Sequence, residues 1–389
     1  MNTKNNNILT PDICILGGGL TGLTAALAVA QIGLKVVLCA KKPESKDRRT
    51  TALLNGTVEF LEDLGIWDTM RENAFPLKTM RLVDGTERLI RIPQTDFHAS
   101  EIELDAFGYN VKNSEFIEVL GKAVETNPDI IWLDSLASIS VENDQIRVVA
   151  TDTDHTILPD FVVGADGRNS VVREAFELGV RQWNYPQCAI VLDFKHQHPT
   201  NFASTEFHTE AGPFTIVPQN QTQAGLVWMD RPERVEETIA LGKEELQLLL
   251  EQKMQSYLGK VEIIDSPVSF PISGLIAKRF GGKNCALIGE AAHAFPPIGA
   301  QGFNLGVRDI EALTEVLKRY SGSGNIGENY HQKRLSDVHS RTMGVDVLNR
   351  SLLSDFLPVQ LARSIGLHAL ANIAPLRKTA MRMGISPNK

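Results

Sequence analysis

The chain has 389 residues, 47 acidic against 39 basic side chains, a net charge of −8 and 43% apolar residues. That apolar content excludes a disordered chain, and the length predicts two joined domains or one large one. The acidic balance argues against a nucleic-acid-binding protein, which needs basic faces.

Asp12–Leu16 is a short apolar run ahead of glycines, the pattern of a strand buried in a parallel sheet. Alanines and leucines at helical spacing follow from Leu20 to Ile32; Gly33 ends that helix and Lys35–Cys39 is a second strand. The whole apolar stretch from Ile13 to Ala40 is interrupted by glycines, Thr21, Thr24, Gln31 and Lys35, so it reads as a βαβ unit rather than a membrane span. Asn55–Leu64 reads as a helix ending at Gly65, Met80–Ile92 as paired strands, and Ser114–Glu125 as a helix capped by Ser114. Ile130–Leu133 and Phe161–Val163 read as strands, and Ile139–Val141 with Gln145–Thr151 as a hairpin turning at Asn143-Asp144.

From Trp183 to Phe270 short β-like segments alternate with turn residues, interrupted by one helix near Lys243–Leu258. Cys285–Ile288 returns to the parallel-strand pattern and Asn304–Tyr320 is a long helix. The tail from Asp346 reads as amphipathic helix broken at Pro358 and Pro375. The four cysteines, Cys14, Cys39, Cys188 and Cys285, are too scattered for a zinc site; Cys14, Cys39 and Cys285 read as buried free thiols of a reducing compartment. The polar, Asn-rich first residues lack the apolar core of a secretory signal, so the expected location is cytoplasmic.

Three separated motifs carry chemistry. Gly17-Gly18-Gly19-Leu20-Thr21-Gly22 fits G-x-G-x-x-G between a strand and a helix, where Gly17 allows the tight turn, Gly19 lets N–H groups approach a pyrophosphate and Gly22 allows close packing. Gly322-Ser-Gly324-Asn-Ile-Gly327 also fits that pattern, but it follows a helix and reads as a loop. The second motif runs Val162-Val-Gly164-Ala-Asp166-Gly167-Arg168-Asn169-Ser170, with Ser170 a helix cap. The third is Gly289-Glu290-Ala-Ala-His293, followed by Pro296-Pro297-Ile-Gly299-Ala-Gln301-Gly302-Phe303-Asn304-Leu-Gly306. Glu290 stands at the carboxyl end of a strand, and free N–H groups of Gly302–Leu305 would face a ligand with partial positive charge.

The order and spacing of these motifs resemble the FAD-dependent aromatic hydroxylases of the para-hydroxybenzoate hydroxylase class over nearly the whole chain. Within that class the chain resembles the ubiquinone-biosynthesis hydroxylases most, through Arg49-Thr-Thr-Ala-Leu53, Gly108–Ser114, Gly289–His293, Ala300–Gly306 and the tail Leu348–Leu376. The resemblance implies an α/β fold. A Rossmann-like FAD-binding domain of the glutathione-reductase type would span 1–75, 105–180 and 275–345. A mainly antiparallel substrate domain would be inserted as 76–104 and 181–274, and helices would fill 346–389.

It also implies an FAD site of Gly17, Gly19, Leu20, Thr21, Gly22, Arg49, Asn113, Asp166, Gly167, Gly289, Glu290, Gly302, Phe303 and Asn304. Asp166 and Gly167 would serve both FAD and NAD(P)H, and Gly289-Glu290 the ribityl chain, with Glu in place of the usual Asp. Arg49 has a surface arginine, and Asn113 a helix-start residue, as the alternative reading. The implied reaction is hydroxylation of a phenolic, polyprenylated ubiquinone precursor with NAD(P)H and O2 through a flavin hydroperoxide. Rivals are an FAD-dependent dehydrogenase or reductase of a prenyl lipid and a non-catalytic assembly subunit that keeps the fold.

One family feature is missing. Where an acid usually binds the ribose hydroxyls, this chain has Ala40, followed by Lys41 and Lys42, which read as a solvated turn or as a site for a 2′-phosphate. No side chain stands out as a catalytic acid or base. His293 reads as structural, with proton transfer as the alternative, and His196, His198 and His208 are undistinguished. No metal motif or nucleophile motif is present. From Ser351 onward five basic residues face one acid, among leucines at helical spacing. Such a tail packs on its own domain, or contacts a partner or the inner face of the membrane peripherally.

Overall fold

The computed structural model describes residues 7–43, 47, 49–86, 94–319, 325–353, 366, 368–370 and 372–385. Its centre is a six-stranded sheet in the order Gly281–Gly282, Cys285–Leu287, Phe161–Gly164, Ile13–Leu16, Val36–Cys39 and Ile130–Leu133. Five of these strands run parallel, and the Gly281 edge is antiparallel. Helices cover the sheet, so the Ile13–Leu16 and Val36–Cys39 strands are buried at every position. That is why they read as uninterrupted apolar runs instead of alternating ones. The helix Leu20–Gln31 packs on the sheet and against helices Asn113–Thr126 and Gln301–Arg319. Cys14, Cys39 and Cys285 are buried and free, as expected.

A nine-stranded, mainly antiparallel sheet forms the second layer system. Its long strand Val180–His196 pairs with Gln223–Asp230 on one side and Val268–Ala277 on the other. Ile190, Leu192 and Phe194 of that strand face Val235, Leu246, Leu250 and Met254 from two helices on the back of the sheet. A third, three-stranded sheet orders Thr50–Leu54, Gly108–Lys112 and Phe75–Leu77.

Several expectations are corrected. Of the paired strands expected over Met80–Ile92, Thr79–Asp84 is a strand that pairs with Thr95–His98 and, in parallel, with Ala203–Thr209; residues 87–93 lie outside the described set. The back of the large sheet carries two helices, Pro232–Ile239 and Lys243–Lys253, and not one; Pro232 starts the first, where its missing N–H costs nothing. Ser114 does not cap its helix. The strand Gly108–Lys112 runs straight into helix Asn113–Thr126, with Lys112 extended at the boundary. Pro375 does not break the tail but stands in the first turn of helix Ala374–Ile385, which Pro tolerates. Pro358 and the tail residues 354–365 lie outside the described set. Gly327 belongs to helix Ile326–Leu353 and has a packing role: a Cβ there would collide with Gly282. Gly322 and Gly324 lie outside the described residues.

His196 lies on the inner face with Phe194. Its Nδ1 donates to the His198 carbonyl at 2.8 Å, and its Nε2 is buried without a partner among the described residues. Burial holds the imidazole below its ordinary pKa, so it folds neutral. The unfolded chain therefore binds more protons below about pH 6.5, and stability falls as the pH falls through that range. Urea midpoints measured at pH 7.5 and 5.5 should fall less in His196→Gln than in the parent chain.

Candidate functional site

The first two motifs meet through backbone. Strand Ile13–Leu16 ends at Gly17, whose φ of +116° and N–H bond to the Cys39 carbonyl (3.1 Å) turn the chain into helix Leu20–Gln31. A Cβ on Gly17 would collide with the Ala165 carbonyl of the second motif, and one on Gly22 with the Gly17 carbonyl. Gly19 is different: nothing lies within 4 Å of a Cβ built there, and no side chain caps the helix it precedes. The N-terminal N–H groups of that helix thus face open space, ready for an anion.

The third motif closes on the first through Thr21. Its Oγ1 lies 3.0 Å from a Cβ built on Gly289 and 3.1 Å from one on Gly306. Gly289, at φ +57°, opens a single helical turn that leaves Glu290 65% exposed, 4.0 Å from Arg168. Ala300, also left-handed at φ +54°, starts helix Gln301–Arg319, and the space around Gly302 is open. Arg168 donates to the hydroxyl (2.5 Å) and carbonyl (2.9 Å) of Ser273 on the large sheet. Arg173 donates to the carbonyls of Ala291 and Arg168, tying the second motif to the third.

Asp166 spends one oxygen on helix Val171–Ala175: Oδ2 accepts from Val171 N (2.7 Å) and Val172 N (3.3 Å), beside the expected Ser170 cap. Its Oδ1 is buried with no partner among the described residues, an acceptor that a ligand hydroxyl would satisfy. Gly167 is left-handed beside it. Arg49 forks onto Asp47 (2.9 and 2.8 Å), Asn113 Nδ2 donates to the same carboxylate, and Asn113 Oδ1 accepts from Thr51 (2.6 Å). Arg49 is therefore an exposed but anchored cation. Asn304 Oδ1 accepts from Leu54 N and its Nδ2 donates to Ala52 and Ala300, so the side chain clamps strand Thr50–Leu54 to the helix start. Phe303 packs edge-on against Phe116, and Leu20 is half-buried at the first helix.

At the ribose position Ala40 packs on Gly18, and Trp132 Nε1 donates to its carbonyl. Lys41 pairs with Asp152 and Lys42 with Glu125, the solvated-turn arrangement. His293 is buried, with Nε2 2.7 Å from Asp309 Oδ2. That Oδ2 also accepts from Gly289 N (2.9 Å), and Oδ1 accepts from Arg334 Nε (2.7 Å). Burial alone would raise the Asp309 carboxyl; the adjoining His293 and Arg334 charges hold it below the usual range. His293 thus braces the Gly289 turn from behind. His208 pairs with Glu206 at 2.9 Å. Tyr185 donates to Asp346 at 2.6 Å, and burial with that carboxylate pushes its hydroxyl up to about 12, so it is not a phenolate base near neutrality.

Sequence reasoning missed Asp309 and Arg334. A signal existed for Asp309, a charge on the apolar stripe of its helix beside Leu305 and Ile310; none marked Arg334. Among the described residues no group of His, Cys, Asp and Glu could hold a metal ion.

The strand–glycine turn–helix unit, the second and third motifs packed on it and the open space between define a dinucleotide-binding flavoprotein. The family described as FAD binding domain matches residues 10–343, and the chain belongs to this family. Its cofactor is FAD. Relatives include ubiquinone hydroxylase UbiL of Rhodospirillum rubrum, 32% identical over 95% of this chain and 88% of that protein. 3-demethoxyubiquinol 3-hydroxylase of Escherichia coli is 27% identical over 96% and 98%. The fold is shared with p-nitrophenol 4-monooxygenase PnpA of Pseudomonas putida DLL-E4, at a TM-score of 0.77 and 18% identity over 96% of this chain and 97% of that one.

Removing one partner from the buried Asp309–Arg334 pair strands the other charge. Asp309→Asn should lower unfolding stability by about 3–5 kcal/mol, measured by urea unfolding.

Proposed function

We propose that this chain is a flavin-dependent monooxygenase that hydroxylates the phenolic ring of a polyprenylated ubiquinone precursor. The net reaction consumes the phenol, O2, NAD(P)H and a proton, and yields the ring-hydroxylated phenol, water and NAD(P)+. The observation that carries the reading is the convergence of three distant motifs on one open space, with Thr21 of the first touching the third at Gly289 and Gly306, and Gly17 of the first touching the second at Ala165. The two hydroxylase relatives, aligned almost end to end, support the substrate class.

Bound FAD supplies oxygen activation at the expense of NAD(P)H. The residues present fit it: open N–H groups at Gly19–Thr21 for a diphosphate, the unpaired Asp166 Oδ1 and the exposed Glu290 carboxylate for hydroxyls, and a second open helix start at Gly302. That helix start, with Phe303 behind it, would favour negative charge on the reduced ring. Gly17, Leu20, Gly22, Gly167 and Gly289 shape the cradle, and Asn304, Asn113 and Arg49 fix strand Thr50–Leu54 along its rim. We assign 1–75, 105–180 and 275–345 to cofactor binding, 76–104 and 181–274 to the substrate side, and 346–389 to helices.

For the tail, the proposal is peripheral contact with the membrane that delivers the prenylated substrate. Among the described residues no helix is long and apolar enough to cross a bilayer. Helix Ala374–Ile385 docks through Met381 and Arg377 on Ala99, Ile102, Phe97 and Glu101, leaving its Leu376 and Met383, and Ile373 just before it, exposed.

A Cβ at Gly302 meets nothing, so Gly302→Leu should fold normally yet lower FAD affinity at least tenfold in fluorescence titrations; unaltered affinity would contradict the assignment. With prenylated phenols and 18O2, the holoenzyme should place one labelled oxygen in the ring; product without label would favour a dehydrogenase. Leu376→Ser with Met383→Ser should reduce co-sedimentation with anionic liposomes, and equal sedimentation would remove the membrane role.

A further inference from the structure

The open face of the nine-stranded sheet carries a polar corner that no motif announced. Ile190, Leu192 and Phe194 point to the helices behind the sheet, so Ala189, Val191 and Asp193 point the other way. Their partners in register on strand Gln223–Asp230 are Met229, Val227 and Gly225, and beyond these stand Thr215 and Val217. Val191, Val227 and Val217 are only half-buried, so this part of the face is an apolar wall that stays partly accessible, whereas Ala189 and Met229 pack against Ile298 and Val345.

Asp193 is the carboxylate on that wall opposite a glycine. Above Gly225 three polar atoms from three separate segments converge on one point. A Cβ built there would lie 3.2 Å from Asp193 Oδ1, 3.4 Å from Gln219 Nε2 and 4.0 Å from Thr50 Oγ1. Thr50 belongs to the strand that Asn304 clamps to the Gly302 helix start, so the corner adjoins the proposed cofactor site. The carboxylate is also aimed. Gln223 Nε2 donates to Gln219 Oε1 at 2.9 Å, which turns the Gln219 amide so that its Nε2 donates to Asp193 Oδ1 at 2.8 Å. Asn110, 2% exposed, braces the same corner by donating to the Pro218 carbonyl at 2.9 Å.

The geometry points to Asp193, held by Gln219 and flanked by Thr50, as the acceptor for the ring hydroxyl of the substrate, with the valine wall taking the ring and the start of its prenyl chain. This assignment rests on the proposed hydroxylase function and deepens it. A phenol donates one hydrogen bond, which a carboxylate accepts strongly. Electron density pushed from the hydroxyl into the ring makes the positions ortho and para to it more nucleophilic, as oxygen transfer to an aromatic carbon requires. The same corner favours a ring hydroxyl over a ring ether, which offers the carboxylate no donor.

The test uses the FAD-loaded full chain with two probes, 2-prenylphenol and its methyl ether. Binding is read from the perturbation of the flavin spectrum, and product from 18O2 incorporation. The parent enzyme should bind the phenol at least tenfold more tightly than the ether. Asp193→Leu should narrow that ratio to within about twofold while FAD affinity stays unchanged. Asp193→Asn and Gln219→Leu, which preserve volume, should each narrow it several-fold, so the result does not depend on one variant folding. A tenfold preference that survives in Asp193→Leu, or in both volume-preserving variants, overturns the assignment of Asp193 while leaving the hydroxylase reading standing. Absence of labelled product from the phenol with the parent enzyme overturns the hydroxylase reading, and this assignment with it.

Discussion

The site depends on backbone segments approaching more closely than any side chain would permit. Thr21 sits against Gly289 and Gly306, and Gly17 sits against Ala165. These contacts bring residues near 20, 166, 290 and 305 to one place, although the intervening chain builds other sheets. A Cβ at Gly17 or Gly22 would meet backbone, which cannot rotate away as a side chain can. The approaches leave Gly19 and Gly302 open, each beside a helix start whose N–H groups lack intrahelical partners. Close contact behind and open space in front is what a backbone cradle for a diphosphate and a flavin ring requires.

Behind the cradle, buried electrostatics keep the turns in place. Asp309 receives Gly289 N, His293 and Arg334 together, and Arg334 continues to Asp337, which also binds Arg308 and Arg341. Arg341 reaches Gln301 at the first position of the Gly302 helix. One network thus joins the Gly289 turn to the helix start across two helices. Its Asp309–Arg334 pair is worth more as a geometric constraint than as a source of stability, since a buried ion pair roughly offsets its own desolvation.

Much of this was legible in the chain. Parallel strands buried on both faces, such as Ile13–Leu16, write themselves as continuous apolar runs, and the glycine turn after them has a spacing set by the phosphate it accommodates. The hairpin at Asn143-Asp144 was legible because both residues tolerate the left-handed backbone they adopt, φ +48° and +65°. What escaped had long-range causes. Ser114 lost its capping role because Asn113 is the first helical residue and its side chain bonds Thr51 and Asp47. The Asn304 side chain reaches Ala52 and Leu54, some 250 positions away, a clamp that no local pattern announces. The Asp193–Gln219–Thr50 corner joins three segments with no periodicity in common.

Hydrogen exchange of the apoprotein during FAD titration tests the convergence of the motifs most directly. Amide protection should rise together in peptides covering 17–24, 165–172 and 289–305, with one common midpoint at one FAD per chain. Protection confined to the first of these segments, or separate midpoints among them, would contradict a single shared cradle.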